Sequence, residues 1–285
     1  MRIFDFRVAE REQTFLGMGD LHRASKLSNT KAILKDLDKA KEKKARILFT
    51  GDIFDAILPK DKRFISDMLS ADLVGKSSIV DVVIKNTAEL LAPYASYIDV
   101  IGEGNHEYTL NKLFETNMVQ RLVERLNTMT GSKINYGGYL YYACYKFYFH
   151  SKEHSSKQLD ILVHHGIGIS APVTKGIIDI ARFRDAGWRY DILLYGHKHQ
   201  SIILRSSFMR PIIGKRKNSL QIDYAKSIQT GTYMENIIVS DDMSNWGETK
   251  AFSPTEPGGV FINVKIVRKG KRMEEHYYFE MEATS

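Results

Sequence analysis

Short apolar runs punctuate the first two hundred residues, and each ends abruptly on glycine, aspartate or histidine. Phe15-Leu16-Gly17-Met18 stops at Gly19-Asp20, Arg46 to Thr50 at Gly51-Asp52, Tyr97 to Ile101 at Gly102, Asp160 to Val163 at His164, and Asp191 to Tyr195 at Gly196-His197. Runs this short, rich in β-branched and aromatic side chains, predict buried strands. Between the first two lies SNTKAILKDLDKAKEKKA, where Ser28 or Asn29 can cap and Ile33, Leu34, Leu37 and Ala40 recur at helical spacing. This predicts an amphipathic helix with a basic outer face, and hence a β-α-β unit. In such α/β layouts the reactive groups gather at the carboxyl ends of the strands.

The long connection from Ala56 to Ser96 predicts one or two helices, closed by Pro93. Beyond His199 the pattern changes to strands: Ser201 to Leu204, then a basic loop at Gly214 to Asn218, then Ser227 to Val239. A final hairpin is expected to turn at Arg268 to Lys271. The tyrosine-rich stretch Tyr136 to His150 alternates as a half-buried strand or hairpin does, which fits better than a base-stacking surface. No repeat or low-complexity linker interrupts the chain. One domain, residues 1–285, is therefore expected, with the motifs in 15–199 and a β-rich completion in 200–285.

Composition narrows the class of protein. The single cysteine, Cys144, excludes an intrachain disulfide framework, and the first ten residues carry charges where a secretory signal needs an apolar stretch. No run approaches the roughly 18 apolar residues of a membrane span. These features predict a soluble cytoplasmic protein with no membrane partner. The net charge of +7 suits an anionic partner, nucleic acid among them, without selecting one.

The strand-end segments carry the chemistry: G-D-L-H (Gly19 to His22), G-D-I-F-D (Gly51 to Asp55), G-N-H-E (Gly104 to Glu107), V-H-H-G (Val163 to Gly166) and G-H-K-H (Gly196 to His199). Six of the nine histidines fall in these pieces, which sets them apart from ordinary turns. Nitrogen and oxygen ligands without thiolates suit divalent ions such as Mn, Fe or Zn, and two neighbouring ions need a bridging carboxylate to offset their repulsion. The inventory matches a two-metal site.

In order and spelling, the five motifs resemble those of the calcineurin-like metallophosphoesterase superfamily, across Phe15 to His199. The resemblance implies an α/β fold, a four-layer α-β-β-α sandwich with two central mixed β-sheets. It also implies two divalent ions, Mn first, with Fe, Zn or Ni as alternatives. By the same resemblance Asp20, His22 and His199 hold one metal, Asn105, His164 and His197 the second, and Asp52 bridges them. Asp20 and His22, two apart on an extended chain, are expected to point to the same side. His106 is expected to face the substrate as a catalytic group, its ring oriented by Asp55 or Glu107. The family reaction is in-line attack of a metal-bound hydroxide on phosphorus. His164 and His165 are adjacent on extended chain and should face opposite ways. His164 directly follows the apolar run, as the family ligand does, so it is the expected ligand and His165 a loop residue.

Departures from the family's subgroups point to a substrate class. Protein Ser/Thr phosphatases share G-N-H-E but carry arginines where this chain has Glu103 and Ala56-Ile57. Without those fork-shaped donors a phosphomonoester loses its best partners, which favours a phosphodiester. G-D-I-F-D resembles the SbcD-type DNA repair nucleases, although these read G-N-H-D where this chain has Glu107 and carry a longer C-terminal region. The expectation is a phosphodiesterase, with nucleic acid as a candidate substrate. The alternatives are a phosphomonoesterase and a non-catalytic metal-binding scaffold. The scaffold is the weaker of these, because all seven candidate ligands and His106 are present.

Overall fold

The computed structural model describes residues 1–55, 69–148, 156–168, 174, 176–213, 219–235, 256–269 and 276–285. In chain order the strands are β1 (Arg2–Val8), β2 (Glu12–Met18), β3 (Arg46–Phe49), β4 (Ile98–Gly102), β5 (Asn135–Gly138) and β6 (Leu140–Tyr148). They continue with β7 (Ser156–His164), β8 (Ile192–Tyr195), β9 (Ser201–Ile212), β10 (Ser219–Thr230), β11 (Val260–Lys269) and β12 (His276–Thr284). The helices are α1 (Thr30–Glu42), α2 (Ile79–Leu91), α3 (Asn105–Phe114), α4 (Met118–Thr130) and α5 (Ile177–Asp185).

Two six-stranded mixed sheets result. One runs β12-β11-β2-β3-β4-β5, with β2 to β5 parallel neighbours and β11 antiparallel to β2 and β12. The other runs β1-β6-β7-β8-β10-β9, with antiparallel pairs at β6/β7 and β9/β10. Strand β2 shows why both faces of a central strand are apolar. Phe15 packs between the sheets with Leu48, Ile161 and Val163, while Leu16 faces the helices with Ile33, Ile47 and Leu122. On the far face of the second sheet, Leu162, Leu193 and Tyr195 pack on Ile180 and Phe183 of α5. The layers are therefore helix, sheet, sheet, helix, the four-layer α/β architecture expected from the motifs.

Local sequence explains the elements nearest the site. In α1 the Asn29 side chain accepts from Ala32 N (2.9 Å), as a capping residue does, and Ile33, Leu37 and Ala40 are buried. Burying Ile33 and Leu37 contributes about 1.5–3 kcal/mol each, more than the roughly 1 kcal/mol of the cap, so the apolar face decides the helix. Strand β6 buries Tyr141, Ala143, Tyr145 and Phe147 and turns the alternate residues outward, the half-buried pattern expected of this tyrosine-rich stretch. Within the long connection, α2 and a 3-10 turn at Ala92–Tyr97 form, while residues 56–68 lie outside the described residues. The basic loop 214–218, residues 236–239 of the stretch expected as a strand from Ser227 to Val239 and the tip of the terminal hairpin also lie outside them; of that stretch only Ser227 to Thr230 is strand, within β10, and the paired β11 and β12 are present. Unforeseen were β1, which joins the second sheet parallel to β6, and the length of the β9/β10 ribbon.

Candidate metal centre

The five motif segments converge at the carboxyl ends of β2, β3, β4, β7 and β8. Their backbone is far from extended. Asp20 (φ 51°), His22 (φ 47°), Asp52 (φ 48°), His197 (φ 71°) and His199 (φ 56°) all adopt the left-handed conformation. This corrects the expectation that Asp20 and His22 align because the chain is extended. β2 ends at Met18, and the two side chains come together through a tight left-handed turn. Each such residue costs on the order of 1 kcal/mol or more, and the surroundings must hold it. Asp20 N donates to Gly51 O (2.9 Å), His22 N to Asp52 O (3.1 Å), and Tyr233 N to Asp20 O (3.0 Å). Two glycines permit the close approach: a Cβ at Gly19 would lie 2.0 Å from Thr50 Oγ1, and one at Gly104 would lie 2.0 Å from Asp52 Oδ1.

One group of ligand atoms comes from Asp20, His22 and His199. Nε2 of His22 and Nε2 of His199 are 3.2 Å apart, and Asp20 Oδ1 is 3.2 Å from His199 Nε2 and 3.9 Å from His22 Nε2. His22 Nδ1 donates to Asp55 Oδ1 (3.2 Å), which leaves Nε2 with a lone pair aimed into the group. Nitrogens about 2.1 Å from one ion stand roughly 3–3.4 Å apart when they subtend an angle between a right angle and the tetrahedral value. The observed spacing meets that requirement, so these residues fit a divalent ion.

A second group comes from Asp52, His165 and His197, with Asn105 beside it. His165 Nε2 lies 3.2 Å from Asp52 Oδ2 and 3.0 Å from Asn105 Oδ1. His197 places Nε2 on the Gly168 carbonyl (2.8 Å), which leaves Nδ1 to face the group. Of the adjacent histidines, the structure brings His165 and not the expected His164 to this group. Ile161 and Val163 of β7 face the other sheet, whereas Leu162 faces α5. Alternation therefore sends His164 outward with Leu162, and His165 inward to where β2 and β3 deliver Asp20 and Asp52. His164 packs edge-on against Phe183 and parallel to Tyr195, and its Nδ1 accepts from Gly166 N (2.8 Å). Burial, with the charges of His165 and His197, pushes its ring down to about 4.

The charges explain the burial of so many polar groups. Burial alone would lower His165, but Asp52, by charge and hydrogen bond, and then Asp20 and Glu107 push it up to about 9. Burial would raise Asp52, yet His165, His106 and His22 hold its carboxyl well below the usual range. A proton on His165 thus offsets carboxylate charge where a dication would do so more fully.

His106 stands beside both groups. Its backbone N donates to Asp52 Oδ1 (3.0 Å), and its Nδ1 is hydrogen-bonded to the Asp55 carbonyl, with Asp55 Oδ1 at 3.5 Å. Nε2 then faces Asp52 Oδ2 at 3.9 Å. Of the two residues expected to orient His106, Asp55 is the one in contact with its ring, through the backbone carbonyl, while its carboxylate is nearer to His22. Glu107 does not orient His106. Its two oxygens accept from Phe54 N and Gly104 N (2.8 Å each), tying two motif loops together, and burial with the Asp52 charge pushes it up to about 8.

Three residues at the site were not anticipated. Tyr139 donates to Gly166 O (2.8 Å) and sets its ring edge-on to both His164 and His165. Thr50 occupies the space left by Gly19 and Gly196. Lys198, a spacer in G-H-K-H, is buried and places Nζ on Asp179 Oδ2 (2.8 Å) and on the Ile167 carbonyl (2.7 Å), behind the loop that holds His197. Thr50 was signalled by the two glycines facing it; nothing in the local pattern signals that Lys198 turns inward.

The sequence matches the family model for calcineurin-like phosphoesterases over residues 13–201. No curated protein matches it. Among solved structures it is similar to a predicted phosphoesterase from Streptococcus pneumoniae TIGR4, with 12% identity, 95% of this chain and 100% of that chain covered, and a TM-score of 0.35. It is also similar to a metallophosphoesterase from Sphaerobacter thermophilus (14% identity, 94% and 87% covered, TM-score 0.36). A third is GAP50, the anchor in the inner membrane complex of Plasmodium (12% identity, 94% and 89% covered, TM-score 0.42).

Proposed function

The chain belongs to the calcineurin-like phosphoesterase family, and on that premise we propose that it is a phosphodiesterase acting on nucleotide esters, with nucleic acid as its biological substrate class. The family uses a dinuclear metal centre. In this reading Asp20, His22 and His199 would hold one ion, Asn105, His165 and His197 would hold the other, and Asp52 would serve both. Nitrogen and oxygen ligands without sulfur favour manganese. When bound, such ions would supply Lewis-acid charge to an in-line displacement at phosphorus.

The protein's own residues do the rest. Asp55 fixes His22 with Nε2 toward its group, and fixes His106 through Nδ1. His106 Nε2 is then the nitrogen available to the leaving oxygen, to which it can pass a proton or lend stabilising charge. Hydrogen bonds to Asp52 and Gly104 keep Asn105 and His106 on the first turn of α3, beside Asp52.

The observation that supports a diester is the character of position 103. Where the Ser/Thr phosphatases place an arginine, this chain has Glu103, buried and accepting from Tyr136 Oη and Asn117 Nδ2 (3.2 Å). The second position of that comparison, Ala56-Ile57, lies outside the described residues. Position 103 thus supplies no guanidinium fork for a monoester dianion, whereas a diester needs no such partner.

The test is manganese reconstitution followed by kinetics on bis-(p-nitrophenyl) phosphate and p-nitrophenyl phosphate, with Asp52→Asn prepared identically to control for contaminating enzymes. A higher kcat/KM for the diester is expected, and a clear monoester preference sinks the reading. Cleavage of DNA or RNA should weaken steeply with salt, because binding a polyanion releases counterions. Intact DNA and RNA alongside hydrolysed small diesters would remove the nucleic-acid part alone.

A further inference from the structure

Tyr108 is 43% exposed, which is unusual for a large aromatic two residues from His106. The helix explains its direction. Asn105, Tyr108 and Lys112 stand three and four residues apart in α3 and so form one stripe that starts beside the second ligand group and runs outward. The Tyr108 ring meets Tyr139 edge-on at 6.1 Å, and Tyr139 in turn meets His165 edge-on at 5.4 Å. Tyr139 is pinned by its hydroxyl to Gly166 O (2.8 Å), so it acts as a rigid spacer between the candidate ligand and Tyr108. Lys112 holds its ammonium over the Tyr108 ring at 4.5 Å.

An exposed ring, fixed two ring contacts from a phosphoester centre and backed by a cation, has the chemistry of a stacking wall. We propose that Tyr108, backed by Lys112, stacks on the nucleobase of an ester whose phosphate occupies the metal centre, and so selects nucleotides over esters of plain sugars or alcohols. This proposal rests on the nucleotide-ester reading above and names the group that recognises the base. Stacking tolerates any base, because every base presents a π face, so the expected selectivity is for the presence of a base and not for its identity. A lysine over the tyrosine adds positive potential on the route by which an anionic ester enters.

The experiment compares adenosine 5′-monophosphate with ribose 5-phosphate by isothermal titration calorimetry on manganese-loaded protein at one pH and salt concentration. The two ligands share the phosphate and the sugar and differ in the base. Wild type should bind the nucleotide at least about 5-fold more tightly, the low end of what one aromatic contributes. Tyr108→Phe should keep that preference, and in Tyr108→Ala the two ligands should bind alike. Tyr108 is exposed, so the alanine variant should keep the fold, which circular dichroism can verify. Equal affinities in wild type, a preference that survives in Tyr108→Ala, or no binding of the nucleotide would each overturn the proposal. A monoester preference in the kinetic comparison would instead sink the phosphodiesterase reading while leaving the measured base preference standing, so the two failures are distinct.

Discussion

Nε2 of His22 faces Nε2 of His199 at 3.2 Å, although 177 residues of chain separate them. Two ring nitrogens can share one proton at most, and Asp55 already holds the His22 proton on Nδ1. The pair is better used around a cation. His199→Ala should therefore lower bound manganese from two ions per chain to about one, and it should shrink the rise in Tm on adding metal, since metal stabilises only through the sites it fills. Elemental analysis with thermal scans decides the matter, and retention of two ions would remove His199 from the ligand set.

The protonation of His165 gives metal binding a pH dependence. In metal-free protein its pKa is raised from 6.5 to about 9, so its contribution to stability is present below pH 6.5 and is lost as pH rises through 9. Metal-free protein should thus lose Tm over that window. Metal must displace the proton, so manganese affinity should rise over the same window, by up to about 10-fold per pH unit for one proton released. Calorimetry in buffers of different ionisation enthalpy would count the protons. An affinity flat between pH 6.5 and 9 would contradict the account.

The neighbouring histidines should separate cleanly. His165→Ala should lower bound metal and suppress turnover. His164→Ala should keep both ions and instead cost about 1–3 kcal/mol of stability, from lost packing on Phe183 and an unpaired Gly166 N. Metal content and thermal unfolding of the two variants form the check, and the opposite assignment of damage would return the ligand role to His164.

The strand-end motifs were legible because a ligand set constrains residue type strongly, and their order along the chain matched the layered α/β fold. What the sequence did not disclose was direction. Choosing between His164 and His165 requires knowing that Leu162 faces α5 and Val163 the opposite sheet, and a continuous apolar run carries no such mark. Asp20 and His22 illustrate the same gap. Their spacing suggested shared direction on extended chain, but the alignment comes from left-handed backbone held by bonds to Gly51, Asp52 and Tyr233, residues distant in sequence. Lys198 turns inward because Asp179 and the Ile167 carbonyl await it, and neither is a sequence neighbour.

His106 and Asp55 should differ in what they disturb. His106→Ala should retain both ions and lower kcat by roughly 100-fold, the usual scale for a positioned acid or charge stabiliser. Asp55→Asn should lower metal affinity by roughly 10-fold or more, because the acceptor that orients His22 is weakened, even though the Asp55 carbonyl still holds His106. Metal titrations and turnover on both variants test this, and an Asp55→Asn protein with undiminished metal affinity would confine Asp55 to serving His106.

The candidate ligand atoms are divided between the two sheets. Asp20, His22, Asp52 and Asn105 follow strands β2, β3 and β4 of one, while His165, His197 and His199 follow β7 and β8 of the other. Ions held by both sets would rivet the sheets together at one end of their shared interface, closing long chain loops much as a disulfide does. A chelator would then act as a reductant acts on a cross-linked protein, opening the seam between the layers as well as stopping turnover. Susceptibility to proteolysis along that seam becomes a property set by the metal supply.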